Sequence, residues 1–169
     1  MEYRIIEKPG FTVVGKTLRV STKDGENLNS IPQFWNRSHQ DGTLETLTGL
    51  ALDGAPPGGV TLGICTDFSD NMEKFTYMIA AQVPADIASF GGVPQGMIEQ
   101  SIPAATWAVF QAKGSLPDSI QTVWSRIWSE FFADEQYVHG FGPDLELYPP
   151  GNPMASDYGC EVWIPVVRK

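Results

Sequence analysis

Glu161 is the residue whose type and setting could do chemistry. It lies within Asp157-Tyr158-Gly159-Cys160-Glu161-Val162-Trp163-Ile164-Pro165-Val166-Val167, a run dominated by β-branched and aromatic residues. Such a run predicts a strand, along which side chains alternate faces. Tyr158, Cys160, Val162, Ile164 and Val166 make one face, almost wholly apolar, and Glu161, Trp163, Pro165 and Val167 make the other. Taking a carboxylate out of water beside an indole costs several kcal/mol unless something pairs with it. A lipophilic cation lying against aromatic faces would do so, each ring adding roughly 0.5–2 kcal/mol. The plainer alternative is a carboxylate satisfied by backbone N–H groups or a tyrosyl hydroxyl.

No other constellation competes with it. His39 and His139 have no partner at metal-ligand spacing, and Cys65 and Cys160 lack CxxC spacing and lie in apolar strand candidates. The two thiols are expected to be buried and free. There is no phosphate loop, zinc motif or Ser/His/Asp arrangement, so neither a metal nor a cofactor is expected. Asp67, Asp70 and Glu73 read as a solvated turn.

The chain has 169 residues, 42% hydrophobic and 18% charged, which suits a single folded domain or two small halves sharing a core. Twenty acidic against eleven basic residues leave a net charge of −9. That argues against direct nucleic-acid binding and against an anionic membrane surface, both of which call for basic patches. It is compatible with attracting a cation. No signal peptide is evident, and no apolar run approaches the roughly 18–20 residues of a membrane span. A cytoplasmic location is expected.

The elements that must position Glu161 read as follows. Tyr3–Lys8 and Phe11–Val20 are strands interrupted by Pro9-Gly10. A short helix holds Ile31, Phe34 and Trp35, capped by Asn29 or Ser30 and ended by Asp41-Gly42. Leu44–Leu52 reads as a strand, Asp53–Gly59 as a loop, and Val60–Phe68 and Phe75–Val83 as strands. The Ala-, Gly- and Pro-rich 84–94 stretch has no strong period and reads as a connector. Met97–Ser101 and Thr106–Gln111 repeat the strand, Pro, strand opening. Ile120, Val123, Trp124, Ile127, Trp128, Phe131 and Phe132 then recur at helical spacing, the apolar stripe of a helix lying on a sheet. Val138–Tyr148 is strand-like, broken by Gly140-Phe141-Gly142-Pro143.

The order strand, helix, strand, strand therefore occurs twice. Pro9-Gly10-Phe11-Thr12 aligns with Pro103-Ala104-Ala105-Thr106, and Ile31, Phe34 and Trp35 with Ile120, Val123 and Trp124. Leu62–Asp67 aligns with His139–Asp144, the loop Ala55–Gly59 with Pro149–Pro153, and Phe75–Val83 with Tyr158–Val166. The expected fold is α+β: a pseudo-two-fold pair of β-α-β-β units, about 1–84 and 95–169 with a connector at 85–94. Each antiparallel sheet is covered by one helix, and a ligand cleft lies between the halves, where small-molecule sites are favoured. Met78 stands where the second half has Glu161, so the symmetry is broken at the carboxylate.

This layout, with the closing motif Cys160-Glu161-Val162-Trp163-Ile164-Pro165-Val166, resembles the gyrase-inhibitor-like (GyrI-like) small-molecule-binding domain, also the effector-binding domain of AraC-type and MerR-type multidrug-sensing regulators. The resemblance covers essentially the whole chain. It implies binding of lipophilic, often cationic, effectors in a cleft between halves, at a glutamate on the last strand. Carried over, that glutamate is Glu161; the aromatic neighbours, assigned by type, are Trp163, Trp35, Trp107, Trp128, Phe141 and Tyr148. Regulators of this kind carry a helix-turn-helix on the same chain, and nothing before Tyr3 or after Lys169 is expected to supply one. The expectation is a stand-alone sensing or sequestering domain, acting as a homodimer or with a separate regulator protein. Two alternatives stay open: a hydrolase of reactive small molecules, with the glutamate as general base and Tyr148, Tyr77 or His139 beside it, and an inhibitor acting through protein–protein contact.

Overall fold

Pro9-Gly10 and Pro103-Ala104 do more than interrupt strands. Each sends the preceding strand across to pair with the other half of the chain. The computed structural model describes residues 1–52, 59–134 and 136–169. Among these, β1 (Arg4–Lys8), β2 (Phe11–Ser21), α1 (Asn27–Gln40), α2 (Thr43–Leu50), β3 (Thr61–Thr66) and β4 (Lys74–Val83) are followed by β5 (Ile98–Ile102), β6 (Ala105–Lys113), α3 (Asp118–Arg126), β7 (Tyr137–His139), β8 (Asp144–Tyr148) and β9 (Gly159–Arg168). β1 pairs with β6, and β5 with β2, both antiparallel. The sheet runs β1-β6-β9-β8-β3-β4-β2-β5, with β7 attached to the end of β9. This order reads the same from either end once β1 is matched to β5, β6 to β2, β9 to β4 and β8 to β3. The seam at its centre is the antiparallel pair β3–β8.

The fold is the expected α+β arrangement of antiparallel strands under helices, with three differences. The two halves form one continuous sheet rather than two. The first half carries two helices, because Leu44–Leu52, expected to be a strand, forms α2 instead. Leu47, Gly49 and Ala51 alternate, but Leu44, Leu47 and Ala51 fall at i, i+3 and i+7, the period of a helix, and the start is fixed locally. Gly42 takes φ +82° at the end of α1, and the Asp41 carboxylate accepts the Thr43 backbone N–H at 3.0 Å. Finally, the strand matched to β3 by symmetry is β8, not His139–Asp144, because Gly140-Phe141-Gly142-Pro143 turns the chain out of the sheet between β7 and β8.

Helix α1 begins earlier than expected, at Asn27, so Pro32 lies inside it rather than in its first turn. The long apolar stripe after Pro117 stays α-helical only to Arg126, then widens into one π-turn, Ile127–Phe131. Ile120, Val123, Ile127 and Phe131 are buried, while Trp128 is left half exposed. The 84–94 stretch holds a single 3-10 turn, Ile87–Phe90. Of the expected loop Asp53–Gly59, all but Gly59 lies outside the described residues, and so does most of its match to Pro149–Pro153. Among the described residues no helix is long and apolar enough to cross a membrane.

All the helices lie on one face of the sheet. α3 packs on β6 and β9, over Phe110, Val162 and Ile164. α1 and α2 pack over β2, β3 and β4, around Phe34, Leu47, Phe75 and Ile79. The opposite face carries Leu62, Ile64, Met78, Trp107, Leu145 and Trp163 in a dry layer of strand residues and their flanks. α1 and α2 thus cover β2, β3 and β4, α3 covers β6 and β9, and the β3–β8 seam runs between the two groups of helices.

Candidate functional site

On the helix side of this seam lies a cavity of about 1260 Å³. Strand alternation decides which side chains reach it. In β8, Leu145 and Leu147 point to the dry layer, while Asp144, Glu146 and Tyr148 line the cavity. Cys65 lies opposite Asp144 in the ladder, and Gly63 opposite Glu146. Tyr77 of β4 lines the floor; Trp35 of α1 lines one wall, and Trp124 and Trp128 after Pro117 line the other. Pro149, Pro150 and Met154 contribute an apolar rim.

Glu146 is the centre of this arrangement. It is 7% exposed and accepts three hydrogen bonds from side chains. The Tyr77 hydroxyl donates to Oε2 at 2.5 Å, the Tyr148 hydroxyl donates to Oε2 at 2.9 Å, and the Trp124 indole N–H donates to Oε1 at 2.7 Å. The Trp35 indole N–H in turn donates to the Tyr77 hydroxyl at 2.9 Å, so both walls are tied to one carboxylate. Hydrogen bonds to a charged group are worth about 1.5–3 kcal/mol each. They offset desolvation without cancelling the charge, and no Lys, Arg or His pairs with Glu146 among the described residues.

The electrostatics follow from burial. Desolvation raises the Glu146 pKa above the usual carboxylate value; the three donors act against this, and neighbouring Asp144 adds to it. The Tyr77 and Tyr148 hydroxyls are held well above the ordinary phenol value, by burial and then by the Glu146 charge, so both remain donors at neutral pH. Burial also raises Asp144, although His139 Nε2 lies 2.7 Å from its Oδ1 and opposes the shift. The Cys65 thiol, buried beside both carboxylates, is pushed well up and is not a thiolate nucleophile.

The structure brings together Trp35, Trp128 and Tyr148 of the expected site residues, and places the other four elsewhere. Glu161 projects from β9 on the side away from α3. There the Arg4 guanidinium donates to Oε1 at 2.7 Å, the Gln111 amide also donates to Oε1, and the Trp163 indole N–H donates to Oε2 at 2.7 Å. Trp107 and Trp163 are buried in the dry layer, with ring centroids 6.0 Å apart. Phe141 is fully exposed on the loop before β8. The physical reason is the strand order. The last strand does not border the seam, because β8 lies between it and β3. Among the described residues no cluster of His, Cys, Asp or Glu could hold a metal ion.

Comparisons with known proteins bear on the family and the fold. The family described as GyrI-like small molecule binding domain matches residues 1–167. A curated relative, the transcriptional regulator BrlR of Pseudomonas aeruginosa, is 25% identical over 169 residues, covering 98% of this chain and 56% of BrlR. The chain thus spans little more than half the length of that relative. Among solved structures, SAV2435 bound to tetraphenylphosphonium superposes with a TM-score of 0.82 at 24% identity, covering 99% of this chain and 94% of the other. The EcmrR C-terminal domain superposes with a TM-score of 0.64 at 19% identity, over the whole of both chains.

Proposed function

Because the chain belongs to the GyrI-like small-molecule-binding family, we propose that it binds lipophilic organic cations in the cavity over the β3–β8 seam. Glu146, rather than Glu161, then supplies the counter-charge. One observation carries this reading: a buried carboxylate on the floor of an aromatic cavity, hydrogen-bonded by three neutral donors and, among the described residues, paired with no protein cation. A bound cation supplies the missing charge, and Trp35, Trp124 and Trp128 offer ring faces to its apolar body. That SAV2435, of the same fold, is a tetraphenylphosphonium complex supports this class of ligand. The domain would sense or sequester such compounds, with its two halves, about 1–84 and 95–169, each contributing one wall.

The hydrolytic alternative rests on Tyr77 and Tyr148 reaching Glu146. Both hydroxyls donate to the carboxylate and occupy lone pairs that a general base would have to offer, although burial still leaves its pKa raised. The geometry therefore favours holding a charge over abstracting a proton.

Titrating tetraphenylphosphonium into wild type and into Glu146→Gln tests the proposal. Losing the charged partner should weaken binding by about 1–3 kcal/mol, roughly 5- to 150-fold. Equal affinities would reject the assignment.

A further inference from the structure

The cavity holds a second carboxylate built on the same plan as the first. Asp144 precedes Glu146 by two residues on the same face of β8, so the two side chains are spaced by about 7 Å, two strand residues. Asp144 is 2% exposed. Its Oδ1 faces His139, and the residue is among those that line the cavity.

The helix side repeats the spacing. Trp124 donates to Glu146 from one wall. Trp128, one turn further along, lies parallel to the His139 ring at 14°, with centroids 6.1 Å apart, and His139 is the group that holds Asp144. Glu146 thus has Trp124 bonded to it directly, and Asp144 has Trp128 stacked on the imidazole that holds it. Trp128 is 51% exposed and lines the cavity, leaving ring surface free for a guest.

We propose that Asp144, with Trp128 above it, forms a second cation subsite, and that the preferred occupants are flat organic dications whose positive centres lie about 7 Å apart. This rests on the reading of Glu146 as the primary counter-charge. The other titratable groups around Asp144 are His139, Cys65 and Glu146. His139 Nε2 engages Oδ1 of Asp144.

Methyl viologen and 1-methyl-4-phenylpyridinium share a biaryl frame and differ in one positive charge, which makes them the matched probes. Calorimetric titration of the wild type should show the dication binding about tenfold tighter, the gain from one further charge-assisted contact. Asp144→Asn should bring that ratio close to one. Asp70→Asn, which removes an exposed carboxylate outside the cavity, should leave it unchanged and so separates the subsite from the general field of the acidic surface. The wild-type ratio needs no variant and stands even where Asp144→Asn does not fold. A wild-type ratio near one overturns the second subsite, as does an advantage that survives Asp144→Asn or is lost in Asp70→Asn. Tetraphenylphosphonium, run alongside, separates the two ideas. Binding of that monocation that depends on Glu146, with no dication preference, leaves the primary site standing and removes only the second.

Discussion

Gly63 faces Glu146 across the β3–β8 ladder, and the space a side chain would fill at Gly63 is taken by the Tyr77 hydroxyl and by Oε2 of Glu146. The shortest hydrogen bond at the carboxylate therefore exists because the opposing strand carries no Cβ. The φ of Gly63 is not in the left-handed region, so the requirement is close approach rather than backbone conformation.

Gly63→Ala forces the tyrosine or the carboxylate out of place. Overpacking of this kind costs about 1–3 kcal/mol. Chemical denaturation should show that loss, and tetraphenylphosphonium affinity should fall with it. A fully stable Ala variant with unchanged affinity would mean that the close approach has no functional consequence.

Glu146→Gln should make the ligand-free protein more stable at neutral pH while weakening cation binding. Burial raises the folded-state pKa of Glu146, so its contribution to stability is present at low pH and is lost as pH rises through that value. When ionised, the carboxylate is a buried charge that the three donors offset only in part, and an amide of the same shape removes it. A gain of about 1 kcal/mol, seen as a rise of roughly 2–4 °C in the melting midpoint, is expected at pH 7, narrowing toward pH 4. A lower midpoint at pH 7 would show that the three donors more than compensate the charge.

Binding of a permanently charged probe should weaken as pH falls, starting above the ordinary carboxylate range of about 4–4.5, because only ionised Glu146 attracts it. Tyr77→Phe removes one of the donors that oppose the upward shift, so the midpoint of the pH profile should move higher still. Tetraphenylphosphonium does not titrate, so any change in the profile belongs to the protein. A midpoint that moves down in Tyr77→Phe contradicts the assigned role of the hydroxyl.

The sequence carried the fold further than it carried the site. The strand–Pro–strand openings, the stripe from Ile120 to Phe132 and the closing strand all have a strong local period, and they became β1–β2, β5–β6, α3 with its π-turn, and β9. Leu44–Leu52 had two periods at once, and tertiary packing chose the helix. The proposed site was harder to read, because alternation tells which residues share a face but not which strand borders the seam. Glu161 in its apolar strand and Glu146 in Asp144-Leu145-Glu146-Leu147-Tyr148 carry equivalent local signals. The second is polar on every alternate position, which a surface strand would be too. Only the strand order, with β8 against β3, puts Glu146 at the centre. Trp124 looked like core from its place in the apolar stripe, and its indole N–H has the distinguishing role.

Glu161→Gln provides the contrast. Glu161 pairs with Arg4, whose side chain is 49% exposed, on the side of the sheet away from the cavity. An ion pair this open to solvent is worth at most about 1 kcal/mol. Gln keeps one acceptor oxygen for the Trp163 indole N–H and turns its amide nitrogen toward Gln111, whose own amide can flip to accept, so the dry layer beneath should stay packed. Tetraphenylphosphonium affinity should match the wild type within about twofold, while Glu146→Gln in the same series loses most of it. The opposite pattern, with affinity lost at Glu161 and kept at Glu146, would move the binding site to the far side of β9 and leave the cavity over the seam without its counter-charge.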